Sequence, residues 1–396
     1  MSEWKRYKLS DLYEMSSGIS STKEQAGHGS PFLSFSVVFN NYFLPDSLID
    51  LMDTTDGDKQ KYSINEGDIF LTRTSETVDE LAMSSVALKD YPEASFSGFL
   101  KRLRPVDKRI VYPKFMAFYL RSPLFRRTII NNTVMTLRAS FNEAMFSYLE
   151  IMLPDFDTQK KIGDFLYSLE KKKQTNNQIN QELETMAKTL YDYWFIQFDF
   201  PDQNGKPYKS SGGKMVYHPE LKREIPEGWG VEKLSHFLTI KNGKDHKHLQ
   251  DGKFAVYGSG GIMRTVADYL YSGESILFPR KGTLNNVMYV NEKFWTVDTM
   301  FYSEVNKNTS ALYVFYSVKD IDFNKLNTGT GVPSMTSSIL YDLNIIVPEE
   351  NILEKFNTVV KRNYETIKLN NIQNQELNQL RDWLLPMLMN GQVKVE

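Results

Sequence analysis

The chain has 396 residues, and its 47 lysines and arginines against 49 aspartates and glutamates leave a net charge of −2 at pH 7. The absence of cysteine excludes a disulfide framework, a thiolate metal site and a cysteine nucleophile. No apolar run approaches the ~18 residues that span a bilayer and the N-terminal stretch has no apolar signal core, so a cytoplasmic, non-membrane protein of two or three domains is expected.

Residues 1–155 read as a first globular domain. Gly67–Thr72 and Ser84–Leu88 have the composition of strands bounded by turn residues. Ten basic residues lie from Lys101 to Arg138 with only Asp107 opposing them, while Leu48–Asp68 is acidic. A local basic field of this kind tracks phosphate even in a neutral molecule; the alternative is an ordinary solvated surface. One helix is predicted over Pro113–Asn131, with Phe115, Phe118, Tyr119 and Phe125 as its apolar stripe.

The hydrophobic period then changes. Ile162, Phe165, Leu169, Lys172, Asn176, Ile179, Leu183, Met186, Leu190 and Tyr193 form a heptad ladder with two polar rungs, predicting a long helix within residues 156–200. Residues 201–227 read as a polar, Gly- and Ser-rich linker. A second globular domain is expected over 228–348, with strands at Ser275–Phe278, Asn286–Val290 and Ala311–Tyr316, the last with a helix as its alternative. A second long helix fills 349–390, with a polar middle at Lys361–Asn363 and Asn370–Asn371. Seams this weak need a partner. The expectation is that the two helices pack antiparallel with polar rungs fixing register; the alternative is that each packs on its own domain.

The chain says the same thing twice. Leu149–Pro154 returns as Leu343–Pro348, and Asn180–Leu183 returns as Asn374–Leu377, both at a shift of 194. Trp4, Leu9 and Gly18 match Trp229, Leu234 and Gly243 at a shift of 225, so the first copy carries 31 more residues. That period is far beyond solenoid repeats of about 20–50 residues. The expected fold is α+β: two globular domains separated by two long antiparallel helices, related by pseudo-two-fold duplication.

No catalytic set emerges. There is no phosphate-binding Gly-x-x-x-x-Gly-Lys-Ser/Thr loop and no Gly-x-Ser-x-Gly elbow. His246 and His248 lack a carboxylate at ligand spacing, so no metal is assigned. Tyr257–Gly261 is glycine-rich, but the chain has no two adjacent prolines, as a base-gripping Pro-Pro-aromatic loop requires. No cofactor is assigned to this chain.

Several loops do carry nucleic-acid chemistry. Arg280, Lys281 and Asn285 follow an apolar strand, and Arg73 and Thr74 follow its equivalent in the first copy. Arginine forks onto guanine, asparagine onto adenine, and lysine meets guanine or phosphate. Lys244, Lys247 and Ser259 add donors in neighbouring loops, and Lys101, Arg102, Arg104 and Arg138 are expected to meet phosphate. Apolar clusters recur at the two helix ends: Leu190, Trp194 and Phe195 in one copy, Leu384 and Leu388 in the other. They are candidate docking sites for two partner subunits; the alternative is packing under the adjacent domains.

Ile225-Pro-Glu-Gly-Trp229 with Leu234, Tyr257–Ile262, Phe278–Thr283, the paired Arg138–Asn142 and Val332–Thr336, and Phe198-Asp-Phe200 leading to Gly212-Gly213 carry a resemblance. On these motifs the chain resembles the DNA-specificity subunits of type I restriction–modification systems. The resemblance implies two target-recognition domains, each reading half of a split site in double-stranded DNA, and helices that set the gap. It implies two methyltransferase subunits that use S-adenosylmethionine to modify adenine N6, restriction/translocase subunits, and no catalysis by this chain. The alternatives are a stand-alone DNA methyltransferase using the loop around Gly260, or a protein-interaction scaffold.

Overall fold

The computed structural model describes residues 4–20, 22–133, 139–306, 311–329 and 331–395. Arg138, one of the expected phosphate contacts, lies outside them. The chain divides into two compact units, the first comprising Met1–Asn176 and Ile372–Glu396 and the second Asn177–Asn371. Among the described residues, no helix is long and apolar enough to cross a membrane.

In the first unit, strands Tyr13–Ser17, Leu100–Pro105, Ile69–Thr72 and Ser84–Val86 lie side by side in that order, all antiparallel. Leu71, Leu103, Phe115, Phe118 and Phe141 fill the core against this sheet. The helix expected over Pro113–Asn131 is two helices, Pro113–Tyr119 and Pro123–Asn132. Pro123 lacks the N–H that a continuing helix needs, so it starts a new one, with Ser122 Oγ accepting from the Phe125 N–H at 3.4 Å.

In the second unit, six strands run in the order Leu238–Asn242, Met300–Val305, Tyr271–Pro279, Met288–Thr296, Asp251–Gly258, Gly261–Val266. Neighbours are antiparallel except Asp251–Gly258 beside Met288–Thr296. The last segment expected as a strand takes the alternative and is the helix Ala311–Lys319, buried along most of its length. The Gly- and Ser-rich linker is tied down: the Asp199 carboxylate accepts from Ser210 N–H and Oγ at 2.7 and 2.6 Å, and Phe200 stacks between Tyr208 and Trp229.

The long helices are Phe156–Tyr191 and Glu350–Met389. In the first unit, Asn176 Nδ2 donates to Gln373 Oε1 and Asn374 Oδ1 at 2.8 and 2.9 Å, and Arg381 meets Glu170 at 3.5 Å. Residue numbers fall along one helix as they rise along the other, so the segments run antiparallel. In the second unit the same sense holds, with Asn180 exchanging hydrogen bonds with Asn370 and Asn371 at 2.8 and 3.0 Å. The weak seams are thereby explained. Ile162 and Leu166, and likewise Phe356 and Val360, are spent on the domain cores, which leaves amides to join helix to helix.

The duplication is visible strand by strand. Opening strand Lys5–Lys8 pairs antiparallel with closing strand Glu150–Leu153, and Gly230–Lys233 pairs with Asn344–Val347 in the same register, Lys5↔Leu153 matching Gly230↔Val347. Tyr119 and Tyr313, 194 apart, each place a hydroxyl on the backbone of the closing strand, at Met152 N–H and Ile346 O. Gly18 and Gly243, 225 apart, abut the carbonyls of Ser97 and Val297, where a Cβ would collide. Between these landmarks the shift drops to 207 at Thr72/Pro279 and 200 at Leu100/Met300. The extra residues of the first copy thus fall in three places, the largest share between Gly18 and the strand Ile69–Thr72.

Candidate nucleic-acid interface

Both domains build one feature from the same main-chain parts. Arg73 is the first residue beyond strand Ile69–Thr72; its N–H donates to Phe99 O at 2.9 Å and its carbonyl accepts from the Phe141 N–H at 2.9 Å. Arg280 is the first residue beyond Tyr271–Pro279; its N–H donates to Thr299 O at 2.8 Å and its carbonyl accepts from the Met335 N–H at 2.9 Å. The next residues are also equivalent, with Thr74 bridging Ser140 and Lys281 bridging Ser334. Each arginine is therefore pinned through its backbone while its side chain stays exposed. That is a good geometry for a bidentate donor, because little conformational freedom of the backbone remains to be lost on binding.

In the second domain three further loops converge on this point. Asn286 Nδ2 donates to Ser259 O at 2.8 Å, and the Gly282 N–H donates to Pro333 O at 3.1 Å. Gly282 has φ of +91° and lies against Ser259, so only glycine suits this turn. The Lys244 N–H donates to Thr296 O at 2.9 Å, and the Lys244 carbonyl takes the Trp295 indole N–H at 3.0 Å. Arg280, Lys281, Lys244 and Lys247 are exposed and Ser259 half-buried. Asn285 is exposed too, but its amide donates to Asp322 at 3.1 Å, a bond that holds the Asp322 carboxyl below its usual range.

In the first domain, Arg73, Lys101, Ser140, Asn142 and Glu143 line a cavity of about 310 Å³. Lys101 is nearly buried, its Nζ donating to Ser17 Oγ at 2.8 Å; burial first, and the neighbouring Arg73 charge second, hold its pKa below the usual lysine range. The position equivalent to Lys101 is Phe301, over which the Arg280 guanidinium lies 5.9 Å from the ring centroid.

The expectation for Arg102 and Arg104 is corrected. Both lie on the inner strand Leu100–Pro105, Arg102 buried and Arg104 half-buried. Arg104 grips Asp68 with two bonds of 2.8 and 2.6 Å, which hold the guanidinium above its ordinary pKa, and Arg102 donates to Ser63 O at 2.6 Å. Arg121 donates to the carbonyls of Ser84, Val38, Phe39 and Asn41, and burial pushes its pKa down to about 10. Arg126 donates to Leu81 and Asp79 carbonyls. Much of the basic stretch thus serves the fold rather than facing phosphate. Arg104→Ala is expected to cost about 3 kcal/mol of stability by stranding the buried Asp68 carboxylate, and to leave the salt slope of duplex binding unchanged. A shallower slope would mean that Arg104 meets phosphate after all.

The expected docking clusters are corrected as well. Trp194 and Phe195 are buried and Leu190 is packed in the core of the second domain; Leu388 is buried and Leu384 packed in that of the first. The outward apolar side chains near these helix ends are Met186, Tyr193 and Ile196 in one copy and Leu380 and Trp383 in the other. Sequence reasoning also passed over Phe99 and Thr299. The signal is structural: each stands opposite one of the two arginines.

The family described as the type I restriction modification DNA specificity domain matches residues 1–185 and 226–379. The MjaIX type I restriction enzyme specificity subunit of Methanocaldococcus jannaschii is 29% identical over an alignment 278 positions long, which covers 63% of this chain and 61% of that subunit. The HindI specificity subunit of Haemophilus influenzae is 22% identical over a gapped alignment 472 positions long, which covers 99% of this chain and 100% of that subunit. The crystal structure of a type I restriction–modification S subunit from M. genitalium shares the fold, with a TM-score of 0.63, 15% identity, and 98% and 96% of the two chains covered. The matched segments take in most of the chain and hold one arginine frame each, so the chain belongs to the type I restriction–modification DNA specificity subunits, whose part is recognition and not catalysis.

Proposed function

We propose that this chain, acting in the cytoplasm, binds double-stranded DNA and reads a two-part target, one half per domain. In this reading it directs two methyltransferase subunits, which carry S-adenosylmethionine, and restriction/translocase subunits to that target. The supporting observation is the duplicated frame, which holds Arg73 and Thr74 in one domain and Arg280 and Lys281 in the other. The main-chain geometry and the arginine are shared while Thr74 and Lys281 differ, which suits two half-sites of different sequence.

Methylome sequencing of cells carrying this chain and its methyltransferase partner is the test. A split motif is expected; a single uninterrupted motif would refute two-domain reading. Methyl transfer by the isolated chain would favour a stand-alone methyltransferase instead. At residue level, Arg280→Ala is expected to weaken cognate binding by about 1–3 kcal/mol and to relax one position of one half-site; Arg73→Ala should do the same in the other half. If Arg280→Ala matches the parent on cognate and altered duplexes alike, that arginine reads nothing.

A further inference from the structure

We propose that Phe99 reads the 5-methyl group of a thymine in the half-site of the first domain. The inference rests on the reading above and adds a contact for which the second domain has a threonine. Phe99 is 67% exposed. A lone exposed apolar residue is ordinary, but the setting of this one is not. The antiparallel register Ile69↔Leu103 to Thr72↔Leu100 runs on to Arg73 and Phe99, joined by the Arg73 N–H to Phe99 O bond of 2.9 Å. Residues directly opposite in such a pair send their side chains to the same face. The ring therefore leaves the protein on the same face as the Arg73 side chain, whose guanidinium lies 3.5 Å from the neighbouring Gly98 O.

The backbone that presents it is held on both sides. The Gly98 N–H donates to Ile19 O at 2.7 Å, and a Cβ on Gly98 would stand 2.9 Å from that oxygen. The Phe99 N–H donates to Ser97 Oγ at 3.2 Å, and the Leu100 N–H to Ser97 O at 2.9 Å. A phenyl ring has no hydrogen-bonding group, so next to a base-reading arginine it recognises only apolar shape. In the major groove the apolar feature that distinguishes one base pair from another is the thymine methyl. In the second domain the residue opposite Arg280 is the half-buried Thr299, so the two half-sites are read by different chemistry at this place.

Deoxyuridine lacks only that methyl. The test uses the assembled complex with its methyltransferase subunits and duplexes of the methylated motif, with each thymine of the first half-site replaced in turn by uracil. One replacement is expected to weaken binding by the parent about fourfold, the loss for one buried methyl-sized group. Phe99→Ala should show a similar loss on the thymine duplex and no further loss on uracil. Phe99→Leu should keep the sensitivity. Both variants should discriminate at the second half-site as the parent does, which shows that they are folded and reading. The proposal is overturned if the first half-site has no thymine, if the parent is indifferent to every uracil, or if Phe99→Ala stays as sensitive as the parent. Loss of DNA bending in Phe99→Ala without any uracil effect would make the ring a wedge between base steps, and also overturns it. Absence of discrimination at both half-sites in the parent would instead sink the reading on which the inference rests.

Discussion

Phe195→Ala is expected to destabilise the second unit by about 3–5 kcal/mol, the range for deleting a buried aromatic ring. The side chain is 1% exposed, with the rings of Tyr313 and Phe356 at 4.7 and 5.1 Å and Trp229 at 6.0 Å. Hydrogen exchange should report it as lost protection along the helix Ala311–Lys319. Trp383→Ala provides the contrast, because that indole is 67% exposed and its removal should stay within about 0.5 kcal/mol of the parent. If Phe195→Ala left stability unchanged and abolished co-purification with a methyltransferase subunit, the ring would be a docking contact, as its place in an apolar cluster suggested.

Inserting seven residues after Asn176, with seven more after Asn371, is expected to abolish methylation of the parental motif and to create a motif with a longer gap. Seven helical residues add about 10 Å, which is about three base pairs of B-DNA. The sites are chosen so that the amide rungs survive: Asn176 keeps Gln373 and Asn374, and Asn180 keeps Asn370 and Asn371. An insertion in one helix alone would strand the buried amides of Asn176, Asn180 and Asn374, at about 1–3 kcal/mol for each unsatisfied group. Methylome sequencing reads the outcome, and an unchanged gap would show that the helices do not set it.

Much of the architecture was legible because duplication is written in the order of residues. The shifts of 194 and 225 carried over to the pairing of opening and closing strands, and the two arginines turned out to occupy one main-chain frame. Legibility failed where burial decides what a residue does. Lys101, Arg102 and Arg104 read as surface charge because composition does not tell an inner strand from an edge one. The usable clues were the two-residue spacing of Arg102 and Arg104, which puts both on one face, and Asp68 at the start of an apolar strand. The apolar helix ends misled in the opposite sense. Trp194 and Phe195 looked surplus to a two-helix seam because the seam was taken to be their partner, when Trp229, Tyr313 and Phe356 are.

The frame around Arg73 and Arg280 has a consequence for how such a molecule changes over time. The bonds that fix these positions run between main-chain N–H and C=O groups, which every residue but proline supplies in full. The exposed side chains at 73, 99, 280 and 281 can therefore be exchanged with little effect on folding, typically within about 0.5 kcal/mol for a surface site. If these residues read the target as proposed, mutation at these places is nearly silent for the survival of the fold and loud for the sequence read. On the proposed reading, a lineage carrying this scaffold would explore new specificities without first crossing a valley of unfolded intermediates, and with two copies it would do so for each proposed half-site separately.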